Sequence, residues 1–282
     1  MDIQTENLRA SQLRIQSGIA ELSHQRPERR NALSPELQQD YADLVERIDA
    51  TPDIRVLLIT GSGGSFSAGG DVKFMRERLH DPAVATADYM RNRLRRSHQW
   101  LTRLRELAVP VVAAVDGPAY GAGFGLALQA DFVLASTRAV FCASFARLGA
   151  VPDFGLLHTL PRAVGLSRAK ELMLTARQLG AQEALAWGLV HAVHADEALL
   201  PEARAFAARL CQGPREAAGL TKALVNRSFE TDCAAMFAAE AGAQALAMQT
   251  PYHAQAVAAF ARDGRFAYDW DRLTEQQPGV SP

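Results

Sequence analysis

The chain has 282 residues, 48% of them hydrophobic and 22% charged, with a formal net charge of −1. That supplies a full core for one large domain, or for one domain and an appendage. It excludes the electrostatic footprint of a nucleic-acid binder, and no apolar run nears the roughly 20 residues of a membrane span. The three cysteines, Cys142, Cys211 and Cys233, are odd in number and far apart. They imply neither a disulfide framework nor a metal cage. Together with a polar first segment unlike a signal peptide, they lead to the expectation of a cytoplasmic protein.

In chain order, residues 13–16 and 18–23 read as two short strands turning at Ser17-Gly18. The loop HQRPERRNALS ends at Ser34, a helix cap, and Pro35, which suits a first helical turn. A helix is expected over 35–50, with Leu37, Tyr41, Leu44, Val45 and Ile48 at helical spacing. The strand 55–60 (RVLLIT) then runs into GSGGSFSAGGDVKFM, a glycine-rich loop leading to a helix. Residues 86–107 predict a long amphipathic helix with Met90, Leu94, Trp100, Leu101 and Leu104 near one face. Its basic run, 91–96, reads as a solvated face, with contact to an anionic ligand as the lesser alternative.

The stretch 109–136 organises the rest. It holds a buried strand at 111–115, a turn at Asp116-Gly117-Pro118 and the small-residue segment Gly121-Ala122-Gly123-Phe124-Gly125. A helix to Gln129 and a strand at 132–135 follow. Further strands are expected at 139–142 and 189–193, and helices at 156–164, 168–175 and 182–187. From about residue 197 the texture becomes Ala-rich, with helices at 198–211, 215–228, 234–249 and 253–262. Strand, loop and helix alternate and a helical appendage follows, so the fold class is α/β with largely parallel pairing.

The loops 65–75 and 117–126 look alike, since each follows a buried strand and enters a helix through small residues. Side by side, their backbone N–H groups could stabilise one developing oxyanion without any titrating group. Other chemistries find little support. Gly121-x-Gly123 is a weak dinucleotide signal, because five residues separate strand from glycine and no ribose-binding acid follows the next strand. The histidines are scattered, and His191 and His194 lack a third ligand, so no metal is expected. Ser65 and Ser67 have no neighbouring His and Asp to activate them.

FSAGGDVKFM, DGPAYGAGFGLALQADFVLAS, LGAVPDFGLLHTLPRAVG and ALAWGLVHAV resemble, in this order, the motifs of the crotonase (enoyl-CoA hydratase/isomerase) superfamily, over about residues 12–265. The resemblance implies a crotonase-like spiral of repeated ββα units over 1–200. It implies a helical region at 201–270 that packs a homotrimer or a dimer of trimers, and it leaves 271–282 as a disordered tail. The substrate is then an acyl-CoA thioester, as in fatty acid metabolism, with coenzyme A part of the substrate and no separate cofactor. By the same resemblance the N–H groups of Ala68 and Ala122 are the two oxyanion donors. Ala68, Gly69, Gly70, Asp71 and Val72 line the coenzyme path, and Gly121 and Phe145 complete the binding set. Arg26, Arg29 and Lys73 are candidates for the phosphates, though each also reads as an ordinary surface charge. Asp71 reads equally well as a helix cap.

Hydratases of this family hold water between two glutamates, and Gly125 and Phe145 stand at those positions here. Hydration of a simple enoyl thioester is therefore disfavoured. Asp153, in VPDFG, matches the acid of the family's dienoyl-CoA isomerases and ring-isomerising enzymes. A lone carboxylate beside a thioester α-carbon suits proton shuttling, in a pocket expected to be lined by Phe124, Phe145 and Phe154. The residues taken alone instead suggest that Asp153 caps the helix starting near Gly155. Two alternatives stay open, a hydratase-type lyase with a different acid/base and a non-catalytic acyl-CoA-binding paralogue.

Overall fold

The computed structural model describes residues 3–275. In chain order the strands are β1 Gln4–Asn7, β2 Ser11–Gln16, β3 Ile19–His24, β4 Val56–Gly61 and β5 Val111–Val115. They continue as β6 Pro118–Tyr120, β7 Phe132–Ser136, β8 Val140–Cys142, β9 Gln178–Gly180 and β10 Ala192–His194. The helices of the first two thirds are α1 Pro35–Ala50, α2 Val72–Leu79, α3 Ala87–Glu106, α4 Ala122–Ala127, α5 Leu156–Val164, α6 Leu166–Thr175 and α7 Ala181–Ala186. After them come α8 Leu199–Leu210, α9 Arg215–Val225, α10 Cys233–Met248, α11 Pro251–Asp263 and α12 Trp270–Glu275.

The long sheet runs β1-β2-β3-β4-β5-β7-β10, antiparallel up to β3 and parallel beyond it. A short sheet runs β6-β8-β9. Two isolated parallel bridges, Ser67 to Ala119 and Leu33 to Gly70, continue the short sheet's path. Each turn of chain therefore gives a segment to the long sheet, then one to the short layer, then a helix. The turns run β4, Ser67 and α2; β5, β6 and α4; β7, β8 and α5. This is the expected ββα spiral, and it brings the loop after β4 beside the loop after β6.

Strand alternation divides the core. Leu57 and Ile59 of β4, with Val111, Ala113 and Val115 of β5, face the main cluster that holds Tyr41, Trp100, Phe124 and Phe141. Val56, Leu58, Val112 and Ala114 face the other way, onto Leu199, Ala203, Phe206 and Ala207 of α8. Both faces of these strands are covered, which is why they read as unbroken apolar runs. Because α8 covers the sheet, a boundary at residue 200 cuts a core helix, and the helical region begins at α9.

Other elements differ from the sequence reading in instructive ways. Pro118–Tyr120, read as the end of a turn and the start of a glycine-rich loop, pairs in parallel with β8. The strand expected at 189–193 is shifted to β10, because Gly188 (φ 76°) and the Leu189 N–H to Ala184 O bond still belong to the turn closing α7. Of the segment 271–282, residues 271–275 complete α12, which corrects the disordered reading there, and 276–282 lie outside the described residues. Among the described residues no helix is long and apolar enough to cross a membrane.

Helix α9 is tied to the sheet by an ion pair whose lysine side chain is nearly buried and whose aspartate is partly exposed. Lys222 Nζ lies 2.7 Å from Asp131 Oδ2 and donates to Val109 O at 3.0 Å. The same Asp131 oxygen accepts the Val111 N–H at 2.7 Å. Lys222→Met leaves the carboxylate without its cation and should cost about 2–4 kcal/mol, read as a lower melting temperature. An unchanged melting curve would show that the pair does not anchor α9.

Candidate functional site

The first loop is held in shape by Asn31, a buried residue in left-handed backbone (φ 53°). Asn31 Nδ2 donates to Ser62 O at 2.9 Å and Ser65 O at 2.6 Å, and its Oδ1 accepts the Arg26 N–H at 2.9 Å. Ser67 Oγ donates to Asn31 O at 2.8 Å and accepts the Gly69 N–H at 3.2 Å. Ser67 also bonds the second loop through its N–H to Pro118 O (3.0 Å) and its carbonyl from Tyr120 N–H (2.9 Å). The two loops are thus one hydrogen-bonded unit.

This network corrects one expected donor. The Ala68 N–H already donates to Arg30 O at 2.8 Å, so it is not open to a ligand. Among the described residues, no acceptor meets the Gly70 N–H or the Ala122 N–H, the first of α4. Gly69 lies between them at φ 81°. A Cβ there would fall 2.3 Å from Tyr120 O and 3.2 Å from Ala122 N, so only glycine lets the loops touch. The open backbone donors are therefore Gly70 and Ala122.

The remaining residues expected to bind lie on or beside these loops. Asp71 caps α2, its Oδ1 accepting the N–H groups of Lys73 (2.9 Å) and Phe74 (3.3 Å), and Val72 opens that helix. Lys73 is exposed, with Nζ 3.8 Å from Glu77. Arg29 is exposed on the 3₁₀ turn Pro27–Arg29, and Arg26 lies 3.9 Å from Glu28. Phe145 is half-buried, its ring edge 3.9 Å from where a Cβ on Gly121 would sit. Phe124 packs on Phe141 inside the core (ring centroids 5.3 Å apart), so it does not line an open pocket.

Asp153 sits on a turn pressed against α4. A Cβ on Gly125 would lie 2.8 Å from Phe154 O, 2.9 Å from Phe154 Cβ and 3.2 Å from Asp153 O. The position matching a hydratase glutamate therefore has no room for a side chain. The turn itself is unusual, with Phe154 (φ 52°) and Gly155 (φ 76°) both left-handed. For Phe154 that costs about 1 kcal/mol. Buried Gln129 offsets it by donating to Phe154 O at 3.0 Å and Gly125 O at 3.2 Å.

From Phe154 a line of buried rings reaches back to the first loop. Phe154 meets Trp100 edge-on at 5.9 Å, and Trp100 stacks on Tyr41 at 4.9 Å. Tyr41 OH lies 2.7 Å from His24 Nε2, and His24 Nδ1 lies 2.9 Å from Phe66 O. A carbonyl only accepts, so Nδ1 carries the proton and Tyr41 donates to Nε2. Burial holds His24 down to about 4, so it is neutral and structural.

The carboxylate of Asp153 does not cap α5, which starts from the backbone carbonyl of Asp153 with Gly155 as N-cap. Its Oδ1 is buried and meets no hydrogen-bond partner. Burial pushes the carboxyl up to about 6, against the opposing pull of the Arg93 guanidinium and a backbone N–H. A desolvated carboxylate with one oxygen unpartnered, titrating near neutrality, is suited to taking up and returning a proton. Among the described residues, no three His, Cys, Asp or Glu side chains gather as a metal site would need. Asn31, Gln129, His24 and Arg93 escaped the sequence reading, because each acts through a partner remote in the chain.

The enoyl-CoA hydratase/isomerase family model matches residues 14–270. The chain is 34% identical to the 1,2-epoxyphenylacetyl-CoA isomerase of Escherichia coli K12, over 87% of its length and 93% of that protein. It is 36% identical to a probable enoyl-CoA hydratase of Mycobacterium leprae, over 74% of its length and 78% of the relative's. A crystal structure of an enoyl-CoA hydratase/isomerase from Cupriavidus metallidurans CH34 superposes with a TM-score of 0.88 at 39% identity, covering 93% of this chain and 97% of that one.

The desolvated carboxylate has a consequence for stability. Its folded value is raised from 3.8 to about 6, so the unfolded state ionises first as pH rises. Stability is therefore full below pH 4 and reduced above pH 6, by up to about 3 kcal/mol. Asp153→Asn should melt at higher temperature than the parent at pH 7.5, with the gain vanishing near pH 4. Equal melting at pH 7.5 would mean that Asp153 is well solvated.

Proposed function

Because the chain belongs to the enoyl-CoA hydratase/isomerase family, we propose that it shifts a double bond in an acyl-CoA thioester by proton transfer through Asp153. The thioester carbonyl oxygen accepts from the N–H groups of Gly70 and Ala122, which stabilises the enolate relative to the neutral thioester. Asp153 removes a proton from the acyl chain, the electron pair moves onto the carbonyl oxygen, and the conjugate acid returns the proton at a different carbon. Coenzyme A enters as part of the substrate, with Arg29, Lys73 and Arg26 as phosphate contacts and no separate cofactor.

The observation that carries this reading is the lone buried oxygen of Asp153 beside a glycine that excludes the hydratase carboxylate. The E. coli relative is named an isomerase, which supports the same direction. The mycobacterial relative is named a probable hydratase, but a glutamate at Gly125 would overlap the Asp153–Phe154 backbone. A non-catalytic acyl-CoA binder would have no use for a destabilising bare carboxylate.

In assays of 3-enoyl, dienoyl and 2-enoyl thioesters, Asp153→Asn should lower isomerisation and solvent deuterium exchange by about 10²–10⁴-fold. Thioester affinity should change little, because the carbonyl contacts are backbone groups. Isomerisation that survives the substitution would place the base elsewhere. Rapid hydration of crotonyl-CoA by the unmodified protein would overturn the reading outright.

The helical region supports an oligomer, a homotrimer or a dimer of trimers. No residue of α10 or α11 is buried, and Phe229, Phe237, Leu246, Val257 and Phe260 are exposed. Such a face is covered in a stable assembly. Light scattering should give a mass of three or six 30.6 kDa chains, whereas a mass of one chain would refute the assignment.

A further inference from the structure

The two working parts of the site sit on different elements. Helix α4 carries the Ala122 N–H, and the turn before α5 carries the Asp153 carboxylate. A donor and a base that act on one thioester must keep a fixed separation, since a misplacement of about 1 Å can cost roughly 10²-fold in rate. The contact at Gly125 limits how closely the two elements approach, because a Cβ there would meet the backbone of Asp153 and Phe154. That contact does nothing to stop them parting.

We propose that Gln129 is a positioning residue for Asp153, its amide tying the carboxylate's turn to helix α4 and so fixing the distance from base to oxyanion donor. This rests on Asp153 being the base. Gln129 Nε2 donates to Phe154 O at 3.0 Å, in the turn, and to Gly125 O at 3.2 Å, in the helix. Among the described residues neither carbonyl accepts another bond. An amide nitrogen has two N–H groups, so one side chain serves both carbonyls at once. A carbonyl only accepts, so the nitrogen rather than the oxygen of the amide must face them. Gln129 is buried, which strengthens both bonds.

The turn needs this tie. Phe154 and Gly155 are both left-handed, with φ 52° and 76°, and a phenylalanine keeps that backbone only while its surroundings hold it. Trp100 holds the Phe154 ring, at 5.9 Å, and Gln129 holds its carbonyl. Gly155 closes the other side of the amide, where a Cβ would fall 2.5 Å from Nε2. The Asp153 Oδ1 has no hydrogen-bond partner to steer it, so its place follows the backbone of the turn. Gly125 therefore sets the nearest approach of base and donor, and Gln129 the farthest.

The test is a mutant cycle between residues 129 and 153 in the full chain. Isomerisation is referred to folded protein, and affinity for a non-reactive acyl-CoA analogue is read by calorimetry. Gln129→Met keeps the length and removes both bonds. Gln129→Asn keeps the amide one methylene short of the two carbonyls, and it carries the cycle if the methionine variant does not fold. Isomerisation by Gln129→Met should fall about 10²-fold, with analogue affinity unchanged, and Gln129→Asn should show the same pattern. In the Asp153→Asn background either change should cost little more, because residues that act as a unit are not additive. A side chain that only supports the fold would lower the rate by the same factor in both backgrounds. That result would overturn the inference, as would parent-like turnover in folded Gln129→Met. Isomerisation that survives Asp153→Asn alone would overturn the reading of Asp153 as the base, and the inference with it.

Discussion

How closely helix α4 approaches the Asp153 turn decides what the rest of the site can be. At Gly125 the backbone of Asp153 and Phe154 comes so near that even a methyl group would lie 2.8 Å from a carbonyl oxygen. Two features follow from that contact. A carboxylate cannot be built at Gly125, so a second acid is sterically barred there. The turn also has to bend through two consecutive left-handed residues, and buried Gln129 must hold it. The strain and the desolvation fall on the same few residues, as is common where structure is given over to function.

The opposite wall of the site rests on buried polar groups rather than on apolar packing. Asn31, Ser67 and neutral His24 fix the first loop through bonds to backbone atoms, and the Ser67 bridge joins it to the second loop. Preorganisation of this kind lets backbone donors act without moving when charge develops. The ring line from Phe154 through Trp100 and Tyr41 to His24 connects both walls. A volume change at Trp100 would therefore disturb the Asp153 turn and the first loop together.

Much of the architecture was legible in the chain. Helices 35–50 and 156–164 and strand 111–115 appear with the expected bounds, because their patterns are long or continuously apolar. The short strands β6 and β9 carry no period, being three residues each and defined only by their partners. At the site, Asp153, Ala122 and the glycine positions were visible as residues, but their roles depended on pairing. Ala68 and Gly70 stand two apart in the same loop, and only the carbonyl of Arg30 distinguishes the engaged N–H from the open one. Gln129 was hidden for a similar reason, because the Phe154 carbonyl it meets is 25 residues away in the chain.

The central claim is that one thioester is held by two backbone donors while Asp153 faces its acyl carbons. A crystal structure with a non-reactive acyl-CoA analogue tests this most directly. The account predicts a carbonyl oxygen at about 2.7–3.1 Å from both Gly70 N and Ala122 N, with Asp153 Oδ1 against the acyl carbons next to it. A carbonyl bound away from these two N–H groups, or an acyl chain running away from Asp153, would contradict it.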